Sequence, residues 1–247
     1  MFRLNMSHIN NENNLKKIIE NIRLASNSLN SQVGILMDIA GPKIRVRNSL
    51  NEIAVKKGDI LTIGSSKSDI RINFNLNFKK IDLKSEIKID DGKLSFSVCK
   101  KNDNKQLQIK SLNDGTIKNG KGVNFPNIEL DLPTLTDKDI KDIKNGLKLD
   151  IDWFALSFVR SANDILEVRK IVEGRDSCKP IIAKIEKPEA VKNLDSIIEN
   201  FDGILVARGD LGVEMGYEIV PIIQKRITQL CHKYGKPVIL ATQMLES

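Results

Sequence analysis

Five times along this chain a short apolar run stops at a polar or charged residue, and that pattern constrains the fold more than any other feature. The runs are VGILMD ending at Asp38, DWFALSFVR ending at Arg160, PIIAKIE ending at Glu186, GILVARGD ending at Asp210, and PVILATQ ending at Gln243. Four of the five are separated by stretches that read as single helices, at the spacing of one strand–helix unit. Strands that end in functional groups and are joined by helical crossovers build the mouth of a (β/α) barrel, where active sites collect.

The rest of the chain is consistent with that frame. A strand is expected at Phe2 to Met6 and an amphipathic helix at Asn14 to Ala25, with Leu15, Ile18, Ile19, Ile22 and Leu24 on its buried face. Thr136 is a helix N-cap for DKDIKDIKNGLK, and Ser161 opens a helix that ends at Gly174. Further helices are expected at Ala190 to Glu199 and Val220 to Tyr234. Between residues 46 and 121 the character changes to short alternating runs such as DILTIGS, SEIKIDD and KLSFSVCK, punctuated by Gly, Asn and Asp. That is the pattern of a small all-β insert between two barrel strands.

Composition narrows the function classes. The chain has 247 residues, and no segment approaches the roughly 18 unbroken apolar residues of a membrane span. Cys99, Cys178 and Cys231 are isolated from one another and from any His at metal spacing, which argues for a reducing cytoplasm and against zinc. The net charge of +7 lies entirely in the insert, with 16 Lys/Arg against 9 Asp/Glu there and 23 of each elsewhere. The Lys-, Asn- and Ile-rich composition of the whole chain accounts for that excess without a nucleic-acid partner.

The chemistry concentrates at the strand ends. In Lys184-Ile185-Glu186 the period of two places Lys184 and Glu186 on one face. One strand–helix unit later comes Arg208-Gly209-Asp210-Leu211-Gly212. Two carboxylates with open positions suit Mg²⁺, which keeps waters and takes substrate oxygens as its other ligands. A lysine beside them can hold negative charge developing on an oxygen. Gly209 allows close backbone approach to a ligand, and Thr242 supplies a hydroxyl at the same rim. Taken alone, KIE is a common buried pair and GDLG a common turn; their order and spacing together carry the signal.

The segments RLNMSH (3–8), GPKIR (41–45), KGVN (121–124), SFVR (157–160), AKIE (183–186), VARGDLGVE (206–214) and ATQMLES (241–247) resemble pyruvate kinase in order and spacing, over essentially the whole chain. The resemblance implies a TIM (β/α)8 barrel, here incomplete, from residues 1–45 and 122–247. An all-β lid domain of residues 46–121 would be inserted after the family's third barrel strand. It implies a cytoplasmic, glycolytic phosphotransferase that moves the phosphoryl group of phosphoenolpyruvate to ADP. Lys184 matches the residue that stabilises the enolate, and Glu186 and Asp210 match the Mg²⁺ ligands. Gly209 and Asp210 match the backbone donors to the substrate carboxylate, Thr242 the residue that contacts substrate and helps relay a proton, and Arg3 the phosphate-binding arginine. Arg45, Lys121 and His8 match residues at the nucleotide.

Two departures stand out. The monovalent-cation residues of the family match Asn5, Ser7 and Asp38, but the family's Thr-Lys-Gly-Pro-Glu is here Ile39-Ala40-Gly41-Pro42-Lys43. A fixed ammonium at Lys43 near the K⁺ position makes K⁺ dispensable on this reading. The family's opening and closing barrel strands, and the C-terminal domain that holds much of its homotetramer contact, have no counterpart in the sequence. A non-catalytic remnant, or one piece of a split enzyme, is therefore the alternative expectation.

Overall fold

The computed structural model describes residues 1–9, 11–47, 52–64, 67–172 and 179–242. Gly174, Cys178 and the Gln243–Ser247 part of ATQMLES lie outside the described residues. Strand β1 (Phe2–Asn5), helix α1 (Glu12–Ser28) and strand β2 (Ile35–Ile39) come first. A β-rich stretch follows, with β3 (Ile53–Val55), β4 (Ile60–Gly64), β5 (Ile70–Arg71), β6 (Glu86–Ile89), β7 (Leu94–Asp103), β8 (Gln106–Ser111), β9 (Gly115–Ile117) and β10 (Val123–Asn124). The alternation then resumes: α2 (Asp137–Gly146), β11 (Trp153–Leu156), α3 (Asp164–Val172), β12 (Ile181–Ile185), α4 (Pro188–Lys192) and α5 (Leu194–Asn200). Strand β13 (Gly203–Ala207), helices α6 (Arg208–Met215) and α7 (Val220–Lys233), and strand β14 (Val238–Ala241) complete the chain.

The chain divides into two compact units, Met1–Pro42 with Pro133–Arg208 and Pro221–Ser247, and Lys43–Leu132 with Gly209–Val220. In the first unit six strands form one parallel sheet in the order β1-β2-β11-β12-β13-β14. Every residue of β2, β12 and β13 is buried, as expected for parallel strands covered on both faces. The end strands β1 and β14 are more open; all four residues of β14 are only half-buried.

Strand periodicity sorts the two faces of this sheet. Leu36, Ala155, Ile182, Leu205 and Ala207 pack in one cluster with Trp153, Ile239 and Ala241 around it. Two residues further along three of the same strands, on the same face, stand Asp38, Ser157 and Lys184. The apolar layer therefore forms the floor beneath a polar layer. On the other face helix α2 packs closely: a Cβ at its Gly146 would lie 2.5 Å from Met37 Sδ and 3.1 Å from Phe154. Helix α2 starts in a capping box, with the Asp139 N–H donating to Thr136 Oγ1 and the Thr136 N–H donating to Asp139 Oδ2. Helix α1 buries Leu15 and Ile19, one turn apart, whereas Leu24, expected on the same face, is exposed because it falls one residue outside the i, i+3, i+4 stripe that Leu15, Ile19 and Ile22 follow.

The second unit is built mainly on antiparallel pairing, with one parallel pair, β4–β5. Its larger sheet runs β10-β6-β7-β8-β4-β5, with a separate β3-β9 pair. Alternating residues Ile87, Ile89, Phe96, Val98, Leu107 and Ile109 point into a core that also holds Phe78 and Phe125. Burying each such side chain contributes on the order of 1.5–3 kcal/mol. The β6–β7 hairpin turns through Asp90, Asp91 and Gly92, all at positive φ. From Gly209 onward, helix α6 belongs to this unit.

Two further local expectations differ from the structure. Strand β11 stops at Leu156 rather than Val159, because Phe158 adopts a φ of 57° and turns the chain. The helix expected at Ala190 to Glu199 is two short helices that meet at Asn193, whose backbone leaves helical geometry at φ −103° and ψ 19°.

Candidate active site

In the first unit, three neighbouring strand ends place their polar residues around one ammonium. Lys184 Nζ lies 3.0 Å from Asp38 Oδ1 and 3.0 Å from Glu186 Oε1, and donates to Ser157 Oγ at 2.8 Å. Its three N–H donors thus meet three acceptors. Lys184 is only 6% exposed, and Asp38 and Glu186 less still. Burial works against the ammonium, but the adjacent Glu186 and Asp38 carboxylates outweigh it and hold the Lys184 pKa above the ordinary lysine value.

Each partner is fixed in turn. Asp38 Oδ2 accepts from Arg3 Nε at 2.7 Å and lies 2.6 Å from a second nitrogen of the same guanidinium, a two-pronged charge-assisted pair. Ser157 Oγ donates to the Ile39 carbonyl at 2.6 Å. Glu186 Oε2 accepts the Phe158 N–H at 2.6 Å, and the left-handed φ of Phe158 sets the direction of that N–H. Two cations thus face two carboxylates.

The other residues singled out in this unit are placed locally. Asn5 Oδ1 accepts the Ser7 N–H at 3.0 Å, and His8 is exposed beyond that turn. Thr242 has a φ of 65° and donates its hydroxyl to the Ala241 carbonyl, while Arg208 donates twice to the Thr242 carbonyl, at 2.7 and 2.9 Å.

The second unit carries its own charged cluster. Lys43 Nζ donates to Asp210 Oδ1 at 2.9 Å and lies 4.0 Å from Asp91 Oδ1. Lys121 Nζ lies 2.8 Å from Asp90 Oδ1; their hydrogen bond pulls the Asp90 pKa down and the Lys121 pKa up. Arg45 donates to the Gly120 carbonyl at 3.0 Å, next to Lys121. Helix α6 is fastened by two more contacts. Asn124 Nδ2 donates to the buried Glu214 Oε1 at 2.7 Å, and Lys88 Nζ to the Val213 carbonyl at 3.0 Å.

Sequence reasoning assigned no role to Ser157, Asn124 or Glu214, although SFVR, KGVN and VARGDLGVE contain them. Ser157 could have been found by continuing the two-residue period from Trp153 and Ala155. Nothing local marks the Asn124–Glu214 pair, whose members are 90 positions apart.

The family profile described as "Pyruvate kinase, barrel domain" matches residues 1–247. The chain belongs to the pyruvate kinase family. It is similar to the pyruvate kinase of Geobacillus stearothermophilus, 42% identical over 253 positions that cover 99% of this chain and 43% of that relative. It is similar also to the pyruvate kinase of Methylorubrum extorquens, at 41% identity over all of this chain and 52% of the relative. "Pyruvate kinase 2" of Synechocystis sp. is 40% identical over all of this chain and 43% of its own length. The chain thus spans about half the length of the curated relatives it matches.

For a family member the donor chemistry of the acidic residues matters. Among the described residues no three His, Cys, Asp or Glu side chains gather within reach of one metal ion. Glu186 and Asp210 offer carboxylate oxygen only, the donor type a hard cation such as Mg²⁺ prefers. Asp210 already carries a cation on one oxygen, the Lys43 ammonium. Taken singly, each carboxylate has the donor type of a ligand to a hard divalent ion. Among the described residues no helix is long and apolar enough to cross a membrane.

Proposed function

We propose that this chain carries the catalytic wall of a pyruvate kinase, transferring the phosphoryl group of phosphoenolpyruvate to ADP. The bond from phosphorus to the enol oxygen breaks, a bond from phosphorus to a β-phosphate oxygen of ADP forms, and the enolate takes a proton at its methylene carbon to give pyruvate. The observation that carries this reading is the Lys184 ammonium, buried yet held charged among Asp38, Glu186 and Ser157. Such a cation stabilises negative charge on the enol oxygen, and phosphoryl transfer depends mainly on positioning and charge neutralisation.

The remaining roles follow the family motifs. Arg3 binds the substrate phosphate, the Gly209 and Asp210 N–H groups take the substrate carboxylate, and Thr242 contacts substrate and assists proton delivery. Arg45, Lys121 and His8 contact the nucleotide. Mg²⁺, held by Glu186 and Asp210, would supply charge neutralisation at the phosphoryl and enol oxygens. Residues 46–121 act as a lid that keeps water from competing for the phosphoryl group. Lys43 replaces the monovalent cation otherwise held by Asn5, Ser7 and Asp38, so tetramethylammonium chloride should support activity as well as KCl. The free Cys99 and Cys231 suit a reducing cytoplasm.

The test is pyruvate formation from phosphoenolpyruvate, ADP and Mg²⁺, coupled to lactate dehydrogenase. The purified chain is assayed alone and mixed with a separately made polypeptide covering the rest of a relative's length. Pyruvate formation that Lys184→Met abolishes is expected; no pyruvate from either preparation overturns the reading. A second reading, in which the chain alone is catalytically silent, is favoured by the half-open end strand β14. Activity confined to the mixture would support it.

A further inference from the structure

We infer that Asp152 and Asp202 are positioning residues, which pin the starts of strands β2 and β12 and so set where Asp38 and Lys184 stand further along them. For catalysis the inference rests on the reading of Lys184 as the cation that stabilises the enolate. The same arrangement occurs twice in the first unit. The Ile35 N–H donates to Asp152 Oδ2 at 2.6 Å, and the Asp152 N–H donates back to the Ile35 carbonyl at 3.0 Å. The Ile181 N–H donates to Asp202 Oδ2 at 2.7 Å, and the Asp202 N–H donates back to the Ile181 carbonyl at 3.0 Å. Each aspartate thus engages both backbone groups of the first residue of a neighbouring strand.

Each carboxylate is held in turn by an arginine from the helix that precedes the pinned strand. Arg23 of α1 donates to Asp152 Oδ2 at 2.8 Å, and Arg169 of α3 donates to Asp202 Oδ2 at 2.7 Å. Both arginines stand twelve positions before the pinned isoleucine. Burial opposes the Asp152 charge, but hydrogen bonds from Arg23 and the Ile35 N–H hold its pKa below the ordinary aspartate value.

The site residues follow each pin at one distance: Asp38 is three positions after Ile35, and Lys184 three after Ile181. A slip of one residue would turn either side chain to the other face of the sheet. The hydrophobic pattern resists such a slip poorly here. ILMDI and IIAKI are buried along their whole length and apolar on both faces, so a slip exchanges one apolar set for another. The paired aspartates supply the register that the apolar residues do not.

The experiment follows the Lys184 ammonium protons of the 247-residue chain by ¹H–¹⁵N NMR at neutral pH, with Lys184→Met assigning the signal by its loss. Backbone hydrogen exchange at Ile35 and Ile181 is read in the same samples. Asp152→Ala should speed exchange of the Ile35 N–H, and Asp202→Ala that of the Ile181 N–H, each about tenfold, the scale of one charge-assisted hydrogen bond. Both should also speed exchange of the Lys184 ammonium protons about tenfold, because its buried partners no longer stay in place. Asp202→Asn, which still accepts from the Ile181 N–H, should keep the ammonium within about twofold of the parent chain. Ile227→Ala, a core truncation in helix α7 that costs at least as much stability, should leave the Lys184 signal unchanged. Where an Ala variant fails to fold, Arg23→Met or Arg169→Met, which removes the holder of the carboxylate, is judged by the same criterion. Faster exchange at Ile35 and Ile181 with an unchanged Lys184 signal overturns the positioning role. An equal loss of ammonium protection in Ile227→Ala overturns it as well. Ammonium protection lost as expected, in a chain that forms no pyruvate alone or in the mixture, supports the positioning role and overturns only the catalytic reading of Lys184.

Discussion

Lys184 and Asp38, 146 residues apart, meet at 3.0 Å inside the parallel sheet, each almost fully shielded from water. Asp38 shares its other oxygen with Arg3, and Lys184 shares its remaining protons between Glu186 and Ser157. A buried ammonium costs far too much to stand alone, so the arrangement is stable only with all of these partners present. The cluster is consequently stiff, which favours charge stabilisation without reorganisation.

Removing that ammonium should therefore weaken the fold as well as any activity. Lys184→Met leaves Glu186 and Asp38 buried without their shared cation and should lower stability by about 3–5 kcal/mol, at the lower end because Arg3 still pairs with Asp38. Urea unfolding at pH 7 measures it; a loss under about 1 kcal/mol would show that the cluster is solvated in solution. The pH sense follows from the raised Lys184 pKa. Its contribution is fully present below the ordinary lysine value of about 10.4 and is lost as pH rises through the folded value.

The Asp90–Lys121 pair gives the opposite limb. The hydrogen bond from Lys121 lowers the Asp90 pKa, so its contribution is present above the ordinary carboxylate value of about 3.9 and disappears as pH falls through the depressed value. Asp90→Asn, which tolerates the positive φ of that turn, should be less stable than the parent chain at pH 7, with the gap closing as pH falls through the depressed Asp90 value. Chemical denaturation across that range checks it. A gap that stays constant with pH would mean that the turn, and not the charge, is what matters.

Asn124 and Glu214 hold helix α6 to strand β10 through a buried contact. A double-mutant cycle of Asn124→Ala and Glu214→Ala should show a coupling of about 0.5–3 kcal/mol, because each single change strands the other polar group. Glu214→Gln, which can still accept from Asn124, should cost less than Glu214→Ala. Additive losses in the cycle would show that the contact contributes no stability.

Much of the fold was legible because periodicity is a local property. The two-residue alternation in AKIE places Lys184 and Glu186 on one face whatever the rest of the chain does, and the structure has them 3.0 Å apart. The N-cap at Thr136 is legible for the same reason, and the structure completes it as a capping box with Asp139, three residues on. Where the reading slipped, a longer-range geometry prevailed. β11 stops at Leu156, and Phe158 takes up a left-handed conformation whose N–H bonds to Glu186, 28 residues later.

The sequence by itself determined the alternation of strands and helices, the β-rich insert, and which residues stand at the strand ends. It did not determine which of those residues meet. Lys43 on Asp210, Asn124 on Glu214 and Lys184 on Asp38 join positions 90 to 167 residues apart. Side-chain period specifies a face but not the neighbour across it. That choice follows from strand order and register, which are settled only when the whole core packs.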